Sequence, residues 1–256
     1  MTTLRASRLP AGWQPAADTL ADRVVLVTGA YGGLGGAVAR AASRAGATVV
    51  ITGKRKRQLE QLYDAMLAEG LAEPVIHPLD MELATPRDYA ALAEGLERDF
   101  GRLDGIVHAA VSFGGLTPIS MHKPDAWLRA MHVNVNAPFA LTQACLPLLT
   151  QAADSAVVFV LDDPALLQRA HWGGYGASKA ALERFVAILH EETDSGPLRV
   201  HAMLPAPMRT ALRQLAYFGE DLLLRPLPDA AAAAAVYLLG AQGAEARGTV
   251  LDLRAG

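Results

Sequence analysis

Short apolar runs alternate with longer amphipathic stretches along most of this 256-residue chain. Several runs are almost continuous in valine, isoleucine and leucine, which is typical of strands that are covered on both faces. The runs predict seven strands, at residues 24–28, 48–52, 75–78, 105–109, 156–161, 199–204 and 249–253. The amphipathic stretches predict helices at about 33–45, 55–69, 86–99, 125–149, 173–194 and 229–240.

This alternation favours right-handed β–α–β units, and therefore a doubly wound parallel sheet of seven strands in a single α/β domain. The domain is predicted to span residues 23–256, and residues 1–22 are predicted to form an extended N-terminal arm. Pro147 is expected to kink or end the fourth helix, because proline lacks a backbone N–H. Residues 206–228 contain three prolines and interrupt the alternation, either as a lid near a substrate site or as a surface connector.

The composition narrows the classes of protein to consider. Hydrophobic residues make up 52% of the chain and charged residues 19%, which argues against disorder. The net charge of −3 provides no basic field for nucleic acid or an anionic membrane. No apolar stretch reaches the roughly 18 residues of a membrane span, and the N-terminus lacks the apolar segment of a secretory signal. A cytoplasmic protein is therefore expected.

The only cysteine, Cys145, lies within an apolar run. A single cysteine excludes an intrachain disulfide and argues against a cysteine-based zinc site. We expect Cys145 to be a small buried hydrophobic residue rather than a reactive thiol, and we predict no metal site.

A glycine-rich turn follows the first predicted strand, where residues 24–35 read VVLVTGAYGGLG. Gly29 allows a tight turn, Gly33 lets the backbone approach a pyrophosphate, and Gly35 lets the next helix lie close to the sheet. The N–H groups and dipole of that helix favour an anionic phosphate. A glycine pattern between the first strand and a helix predicts the dinucleotide site of a Rossmann fold.

The end of the second predicted strand indicates which dinucleotide is bound. NAD-binding domains usually carry an acidic residue there, which binds the ribose 2′-hydroxyl. Here the strand runs into Lys54 and Arg55, and the first acidic residue is Glu60. Two cations suit a 2′-phosphate, so NADP(H) is predicted; a solvated basic helix start is the alternative.

Tyr175 and Lys179 are four residues apart in the helix after the fifth predicted strand, so they share one helix face. A lysine beside a tyrosine favours the phenolate and lowers the tyrosine pKa. Tyr175 is then suited to donate a proton to a carbonyl oxygen while hydride arrives from a nicotinamide.

With these motifs, the chain from about residue 20 to its end resembles the short-chain dehydrogenase/reductase family. Residues 104–108, 134–149 and 172–179 look closest to the YciK-like bacterial oxidoreductases, a subgroup of that family. The resemblance implies a small-molecule carbonyl or alcohol substrate. It also implies a homodimer or homotetramer built through the helices near 125–149 and 173–194.

The resemblance implies roles for residues at the family's motif positions. Tyr175, Lys179 and Asn134 match the catalytic tyrosine, lysine and asparagine, of which the asparagine holds a water that links the lysine to solvent. Asp80 matches an adenine-binding aspartate. Residues 205–210 resemble the segment that touches the nicotinamide amide, and residues 251–256 resemble the family's terminal region. The predicted cofactor contacts are Gly29, Tyr31, Gly32, Gly33, Leu34, Gly35, Lys54, Arg55, Asp80, Met81, Ala109, Ala110, Tyr175, Lys179, Pro205 and Thr210.

One catalytic position departs from the family pattern. The family serine lies thirteen residues before the tyrosine, where this chain has Asp162. An ionised carboxylate cannot donate a hydrogen bond to a substrate oxygen, and it raises the tyrosine pKa. Either Asp162 stays protonated and donates, or His108 or His171 replaces the serine, or catalysis is weak or lost while cofactor binding persists.

Two further departures lie beside the nicotinamide. The family's Asn-Asn-Ala-Gly loop reads His108, Ala109, Ala110 and Val111, so its packing must differ. Ala206 replaces a glycine and narrows the space near the nicotinamide.

Three functions therefore remain open. The favoured one is an oxidoreductase with Tyr175, Lys179, Asn134 and Asp162 at its catalytic site. The second is an NADP(H)-binding sensor, scaffold or oligomer partner with impaired catalysis. A purely structural homo-oligomer has no sequence feature of its own. The apolar residues Leu212, Leu215, Tyr217 and Phe218 predict either a hydrophobic substrate wall or ordinary packing.

Overall fold

One parallel sheet of eight strands organises residues 4–254, the part of the chain that the computed structural model describes. In chain order the strands are β1 (Arg5–Ser7), β2 (Val24–Thr28), β3 (Thr48–Gly53), β4 (Val75–Pro78), β5 (Gly105–His108), β6 (Ser155–Val160), β7 (Leu198–Leu204) and β8 (Thr249–Asp252). Their order across the sheet is β1-β8-β7-β6-β5-β2-β3-β4. The winding direction reverses between β2 and β5, so the predicted doubly wound Rossmann-type fold is confirmed.

Nine α-helices connect the strands in the described residues. They are α1 (Gly33–Arg44), α2 (Lys56–Ala68), α3 (Pro86–Phe100), α4 (Pro124–Met131), α5 (Ala137–Gln151), α6 (Pro164–Leu167), α7 (Gly173–Thr193), α8 (Ala211–Ala216) and α9 (Asp229–Leu239). Short 3-10 helices lie at Ile119–Met121, Leu222–Leu224 and Ala241–Ala246, and a π-helical segment lies at His132–Asn136. No helix among residues 4–254 has both the length and the apolar character to cross a membrane.

Both faces of the sheet are covered by helices. One core layer packs α1, α2 and α9 onto the sheet and includes Val38, Leu59 and Ala235, all fully buried. The opposite layer packs α3, α5 and α7 and includes Leu141 and Val186, which are also fully buried. Each such leucine or valine contributes about 1.5–3 kcal/mol by leaving water. These two layers hold the carboxyl ends of the strands in fixed relative positions.

The N-terminal arm supplies the additional strand, so the prediction of seven strands is wrong by one. Residues 5–7 pair in parallel with β8, with Arg5 opposite Thr249 and Ser7 opposite Leu251. The three-residue strand was missed because its side chains show no apolar run. Residues 1–3 of the predicted arm and residues 255–256 of the predicted terminal motif lie outside the described residues.

The single helix predicted at 125–149 is divided into α4, the π-helical segment and α5. Pro138, at the start of α5, lacks the N–H that would bond to the carbonyl of Asn134, four residues earlier. Pro147 does not end α5, which continues to Gln151, because the flanking Cys145 and Leu148 are buried against the sheet. Burial also raises the pKa of the Cys145 thiol to about 12, as befits a packed and unreactive cysteine.

Residues 206–228 form α8 and a 3-10 turn that are tied together by polar contacts. Glu220 forms ion pairs with Arg213 and Arg225, and Arg209 donates a hydrogen bond to the Leu223 carbonyl at 2.9 Å. Leu212 and Tyr217 pack against the cluster formed by Trp172, Tyr175 and Ala216, whereas Phe218 is 93% exposed. Phe218 therefore does not belong to an inner apolar wall, and that part of the expectation is wrong.

Candidate active site

The glycine-rich turn between β2 and α1 leaves no room for a side chain at Gly29 or Gly35. Gly29 has a φ of +61°, and a Cβ there would lie 2.7 Å from the Cα of Ala110. A Cβ on Gly35 would clash with the carbonyl oxygen of Gly29. Thr28 Oγ1 accepts hydrogen bonds from the backbone N–H groups of Ala109 and Ala110, at 3.1 and 3.0 Å. The altered loop after β5 is thus held directly against the turn.

The first turn of α1 fits a pyrophosphate. Its N-cap, Gly32, provides no side-chain acceptor, and the first turn contains no acidic residue. The first N–H groups of a helix lack partners within that helix, and the helix dipole favours an anion beside them. A Cβ on Gly33 would lie 3.3 Å from Thr210 Cγ2, so a ligand at this turn meets backbone on one side and Thr210 on the other.

A pocket of about 350 Å³ lies on the side of the turn that faces β3. It is lined by Gly29, Tyr31, Gly32, Gly53, Lys54, Leu79, Asp80, Met81, Glu82, Ala109, Ala110, Val111, Ser112, Phe113, Arg129 and Val133. Asp80 Oδ1 accepts a hydrogen bond from the N–H of Glu82 at 3.0 Å, and Met81 is buried. Eight of the predicted cofactor contacts therefore lie in one pocket, where an adenosine would sit in a Rossmann fold.

Two charged residues in this pocket, Glu82 and Arg129, were not predicted from the sequence. Glu82 pairs with Lys54 at 3.0 Å and with Arg129 at 2.6 Å. The hydrogen bond from Lys54 lowers the pKa of Glu82. Arg55 precedes α2 as its N-cap and is exposed. No local motif marks Arg129 or Glu82, because α4 and the turn after β4 come together only in the folded chain.

A second cavity, of about 370 Å³, opens on the other side of the turn, at the carboxyl ends of β6 and β7. It is lined by Gly32, Gly33, Leu34, Gly35, Ala109, Val111, Phe113, Val160, Leu161, Asp162, Asp163, Leu166, Trp172, Tyr175, Lys179, Pro205, Ala206, Pro207, Met208, Thr210, Ala211, Leu212, Arg213, Leu215, Tyr217 and Arg254. Gly32 and Ala109 line both cavities. The predicted catalytic pair and the predicted nicotinamide segment thus share one space.

Asp162 and Tyr175 are hydrogen bonded to each other in this cavity. The Tyr175 hydroxyl donates to Asp162 Oδ2 at 2.7 Å, and the N–H of Asp163 donates to Asp162 Oδ1 at 2.7 Å. Tyr175 is buried, and burial, followed by the nearby charge of Asp162, raises its pKa well above the ordinary value. The expected lowering of the Tyr175 pKa by Lys179 is therefore wrong for this arrangement, because burial and Asp162 dominate.

The hydrogen bond of the Lys179 ammonium group goes to the backbone and not to the Tyr175 hydroxyl. Its Nζ donates a hydrogen bond to the Val160 carbonyl at 2.7 Å and lies 5.8 Å from the centre of the Tyr175 ring. Burial lowers the pKa of Lys179 to about 8, although the negative charge of Asp162 opposes this shift. Lys179 therefore contributes a buried and weakened positive charge beside the tyrosine.

Asn134 lies in the π-helical segment and braces the elements around the cavity. Its Oδ1 accepts from the N–H of Ser112 at 2.7 Å, and its Nδ2 donates to the Ser112 carbonyl at 3.0 Å and to Ser178 Oγ at 2.9 Å. Ser178 Oγ in turn donates to the Tyr175 carbonyl. Asn134 thus joins the loop after β5 to α7, and it does not line the cavity itself.

Neither histidine considered as a replacement donor lies in the cavity. The ring of His108 stacks on Phe159 with centroids 4.8 Å apart, and its Nε2 lies 2.9 Å from Thr142 Oγ1. Burial lowers the pKa of His108 to about 3, so it is neutral at physiological pH. His171 is exposed on the loop before α7. Among the described residues, no group of three or more candidate ligands is placed to hold a metal.

The sequence profile of the short chain dehydrogenase family matches residues 23–218, which include the glycine-rich turn, Asp162, Tyr175 and Lys179. The chain belongs to the short-chain dehydrogenase family. Among relatives of this dehydrogenase, the oxidoreductase YciK of Escherichia coli K12 is 35% identical over 244 residues, which cover 95% of this chain and 96% of YciK. The predicted resemblance to the family and to its YciK-like members is confirmed.

Solved structures of related dehydrogenases share the whole fold. A short-chain dehydrogenase from Escherichia coli CFT073, complexed with NADPH, matches with a TM-score of 0.89 and 36% identity, covering 93% of this chain and 99% of its own. One from Shigella flexneri 2a strain 301, complexed with NADP, matches with a TM-score of 0.88 and 35% identity over the same shares. This dehydrogenase thus resembles proteins that hold the phosphorylated dinucleotide.

Proposed function

We propose that this dehydrogenase is an NADP(H)-dependent oxidoreductase that exchanges a hydride with a small organic substrate, for which the sequence analysis predicts a carbonyl or alcohol. The observation that carries the proposal is the Asp162–Tyr175 hydrogen bond, 2.7 Å long, in a cavity that opens beside the phosphate-binding turn. The NADP and NADPH complexes of two relatives support the choice of cofactor.

Different residues around the turn bind different parts of the dinucleotide. The free N–H groups at the start of α1 bind the pyrophosphate, and Lys54, Arg55 and Arg129 bind the 2′-phosphate. The bound nicotinamide supplies or accepts the hydride. Pro205 and Thr210 border the cavity opposite Gly33 and keep the reacting end of the ligand near Tyr175.

Tyr175 holds the proton that a carbonyl reduction requires. Its raised pKa keeps the hydroxyl protonated at neutral pH, and Asp162 keeps that proton engaged until a substrate oxygen competes for it. Lys179 places a positive charge behind the ring, and Asn134 positions α7 through Ser178. General acid catalysis by such a group contributes about 10²–10⁴ in rate.

A second candidate function follows from the same hydrogen bond. The Tyr175 proton is already shared with a carboxylate, and the family's serine donor is replaced by an acceptor. A protein with this arrangement binds NADP(H) without reducing carbonyls, and acts as a sensor, scaffold or oligomer partner.

Calorimetry and turnover together separate these candidates. We expect NADPH to bind at least tenfold more tightly than NADH, because Lys54 and Arg129 face the extra phosphate. Tyr175→Phe is expected to keep the NADPH affinity within twofold and to lower carbonyl reduction about 100-fold. Failure of both coenzymes to bind would refute the proposal. Tight NADPH binding without turnover of aldehydes, ketones, quinones or cyclic imines would favour the second candidate, and full carbonyl reduction in the Phe variant would remove Tyr175 from the mechanism.

We also propose a homo-oligomer that uses the helices on one face. Exposed apolar side chains on α4, α5 and α7, namely Leu128, Phe139 and Ile188, would be covered by a second copy. Analytical ultracentrifugation at several protein concentrations tests this proposal. A protein that is still monomeric at a concentration on the order of 100 µM would contradict it.

A further inference from the structure

Asp162 presents only acceptor atoms to whatever occupies the cavity. Its two oxygens already accept from the Tyr175 hydroxyl and from the N–H of Asp163, both at 2.7 Å. A carboxylate oxygen can accept more than one hydrogen bond but can donate none. A substrate atom beside Asp162 is therefore best matched by an N–H group, and a carbonyl oxygen that becomes an alkoxide is repelled there.

Four aromatic rings line the cavity around this carboxylate: those of Phe113, Trp172, Tyr175 and Tyr217. The ring centres of Phe113 and Tyr175 lie 5.2 Å apart, those of Trp172 and Tyr175 lie 5.9 Å apart, and those of Trp172 and Tyr217 lie 6.2 Å apart. The negative faces of aromatic rings attract organic cations, most strongly where water is excluded. Arg213 already covers the ring of Tyr217, 4.2 Å from its centre. The other three rings, grouped around an acidic side chain, are a favourable site for a positively charged ligand.

The arginine and lysine side chains at the cavity wall already have hydrogen-bond or ion-pair partners, whereas the Asp162 carboxylate has no cationic partner in the part of the chain that the structure describes. Arg213 pairs with Glu220 at 2.5 Å, and Arg254 pairs with Asp163 at 2.6 Å. Lys179 donates its hydrogen bond to the Val160 carbonyl. Within the described residues, the ion pairs at this wall do not include Asp162. Lys179 feels the charge of Asp162 without forming an ion pair with it, so this carboxylate remains available to a ligand, whereas that of Asp163 is already paired.

We propose that the reacting group of the substrate is a protonated carbon–nitrogen double bond, which Asp162 binds by its N–H and the aromatic rings bind by its charge. This inference rests on the proposed NADP(H)-dependent hydride transfer and changes its substrate class from carbonyl and alcohol to imine and amine. It explains why a carboxylate occupies the position of a neutral donor.

The step balances without a proton from the protein. The iminium carbon accepts a hydride with its electron pair from the reduced nicotinamide, and a C–H bond forms. The π pair of the C=N bond moves onto nitrogen, which keeps its proton, so the products are a neutral amine and the oxidised cofactor. Asp162 favours the protonated form of the imine, which is the electrophilic form, and Tyr175 keeps its own proton throughout.

Two matched pairs of probes test the inference. Tetrahydroisoquinoline, a cation at neutral pH, is compared with isochroman, its neutral oxygen analogue, by calorimetry on the cofactor-free protein. The reduction of 3,4-dihydroisoquinoline by NADPH is compared with that of 1-tetralone, which has the same ring size. We expect the native protein to favour the nitrogen compound at least tenfold in affinity and in kcat/KM.

The variants assign this preference to one side chain. Asp162→Asn should bring the two affinities within twofold of each other, and Asp162→Ser should make the ketone the better substrate. Asp163→Asn removes the neighbouring charge, which lines the same cavity but pairs with Arg254, and this matched control should keep at least a fivefold preference. Because Asn and Ser differ in size and bonding, one variant still tests the inference if the other fails to fold.

Three results would overturn the inference: isochroman binding as well as the amine, no measurable binding of either, or a ketone preference in the native protein. NADPH affinity is measured in parallel. Loss of NADPH binding refutes the proposed function as a whole, whereas NADPH binding without a preference for nitrogen refutes only the substrate class.

Discussion

The phosphate-binding turn and the Asp162–Tyr175 pair lie on the same edge of the sheet but are built in different ways. The turn binds through backbone N–H groups, and Gly29 and Gly35 are required because a Cβ at either position would clash with backbone atoms. The Asp162–Tyr175 pair presents side-chain atoms to a ligand, and its properties depend on one hydrogen bond of 2.7 Å between residues thirteen positions apart. One region is determined by chain geometry and the other by the identity of a single side chain.

This difference determines how readily each region can change in evolution. A backbone site tolerates few substitutions, so the family's cofactor turn is retained here. A side-chain site can change its chemistry with one substitution and no change of fold, as at Asp162, which lies just beyond the end of β6 at the position of the family's serine. Specificity in this dehydrogenase is therefore expected to vary at Asp162 and cofactor binding to stay constant.

The largest expected effect comes from Gly35→Ala. The added Cβ would clash with the Gly29 carbonyl, so either the turn or α1 must shift. We expect NADPH affinity, measured by calorimetry, to fall more than 100-fold and the melting temperature to fall by several degrees. Gly95→Ala is the control: its Cβ would meet only Arg98 at 3.7 Å, and alanine is the better helix former by about 0.5–1 kcal/mol. Equal NADPH affinity in both variants would show that the turn does not bind the pyrophosphate.

Lys54→Ala is expected to have a smaller effect that depends on the coenzyme. Removing this cation should weaken NADPH about tenfold and leave NADH unchanged, since only NADPH carries the 2′-phosphate. Lys56→Ala, two residues later, removes a cation that is 72% exposed and pairs with Glu60 at 3.7 Å. Calorimetry of both coenzymes with both variants makes the comparison. If Lys56→Ala matches Lys54→Ala, the basic run acts only by its overall charge.

Glu82→Gln refines the same assignment. Glu82 pairs with both Lys54 and Arg129, so it competes with a phosphate for these cations. Neutralising it should tighten NADPH binding about threefold, an effect in the range of a partly exposed ion pair. A weaker affinity for NADPH in this variant would mean that Glu82 orients the cations more than it neutralises them.

The sequence predicts the features that depend on local chain geometry better than those that depend on contacts between distant side chains. Short apolar strands, a glycine turn and a Tyr–Lys spacing are local patterns, so the fold and the positions of Gly29, Tyr175 and Lys179 were predictable. The direct hydrogen bond between Tyr175 and Asp162 was not, because it depends on the path of the chain beyond Val160, where β6 ends. Arg129 reaches the adenosine-side pocket from a distant helix, and no spacing in the chain indicates that contact.

The smallest effect concerns His108, which stands at the end of β5 between the two regions. Burial lowers its folded pKa to about 3, against about 6.5 in an unfolded chain. The unfolded chain therefore binds a proton that the folded protein does not, and the free energy of unfolding falls as the pH drops below about 6.5. Burial lowers the pKa of His201 to about 3 as well, so each histidine contributes about 1 kcal/mol per pH unit over this range.

His108→Asn should therefore reduce, by about half, the loss of melting temperature between pH 7 and pH 5 that arises from these two histidines. His171→Asn is the matched control, because His171 is exposed and asparagine tolerates its φ of 78°. An unchanged pH slope in His108→Asn would mean that the imidazole is protonated inside the fold.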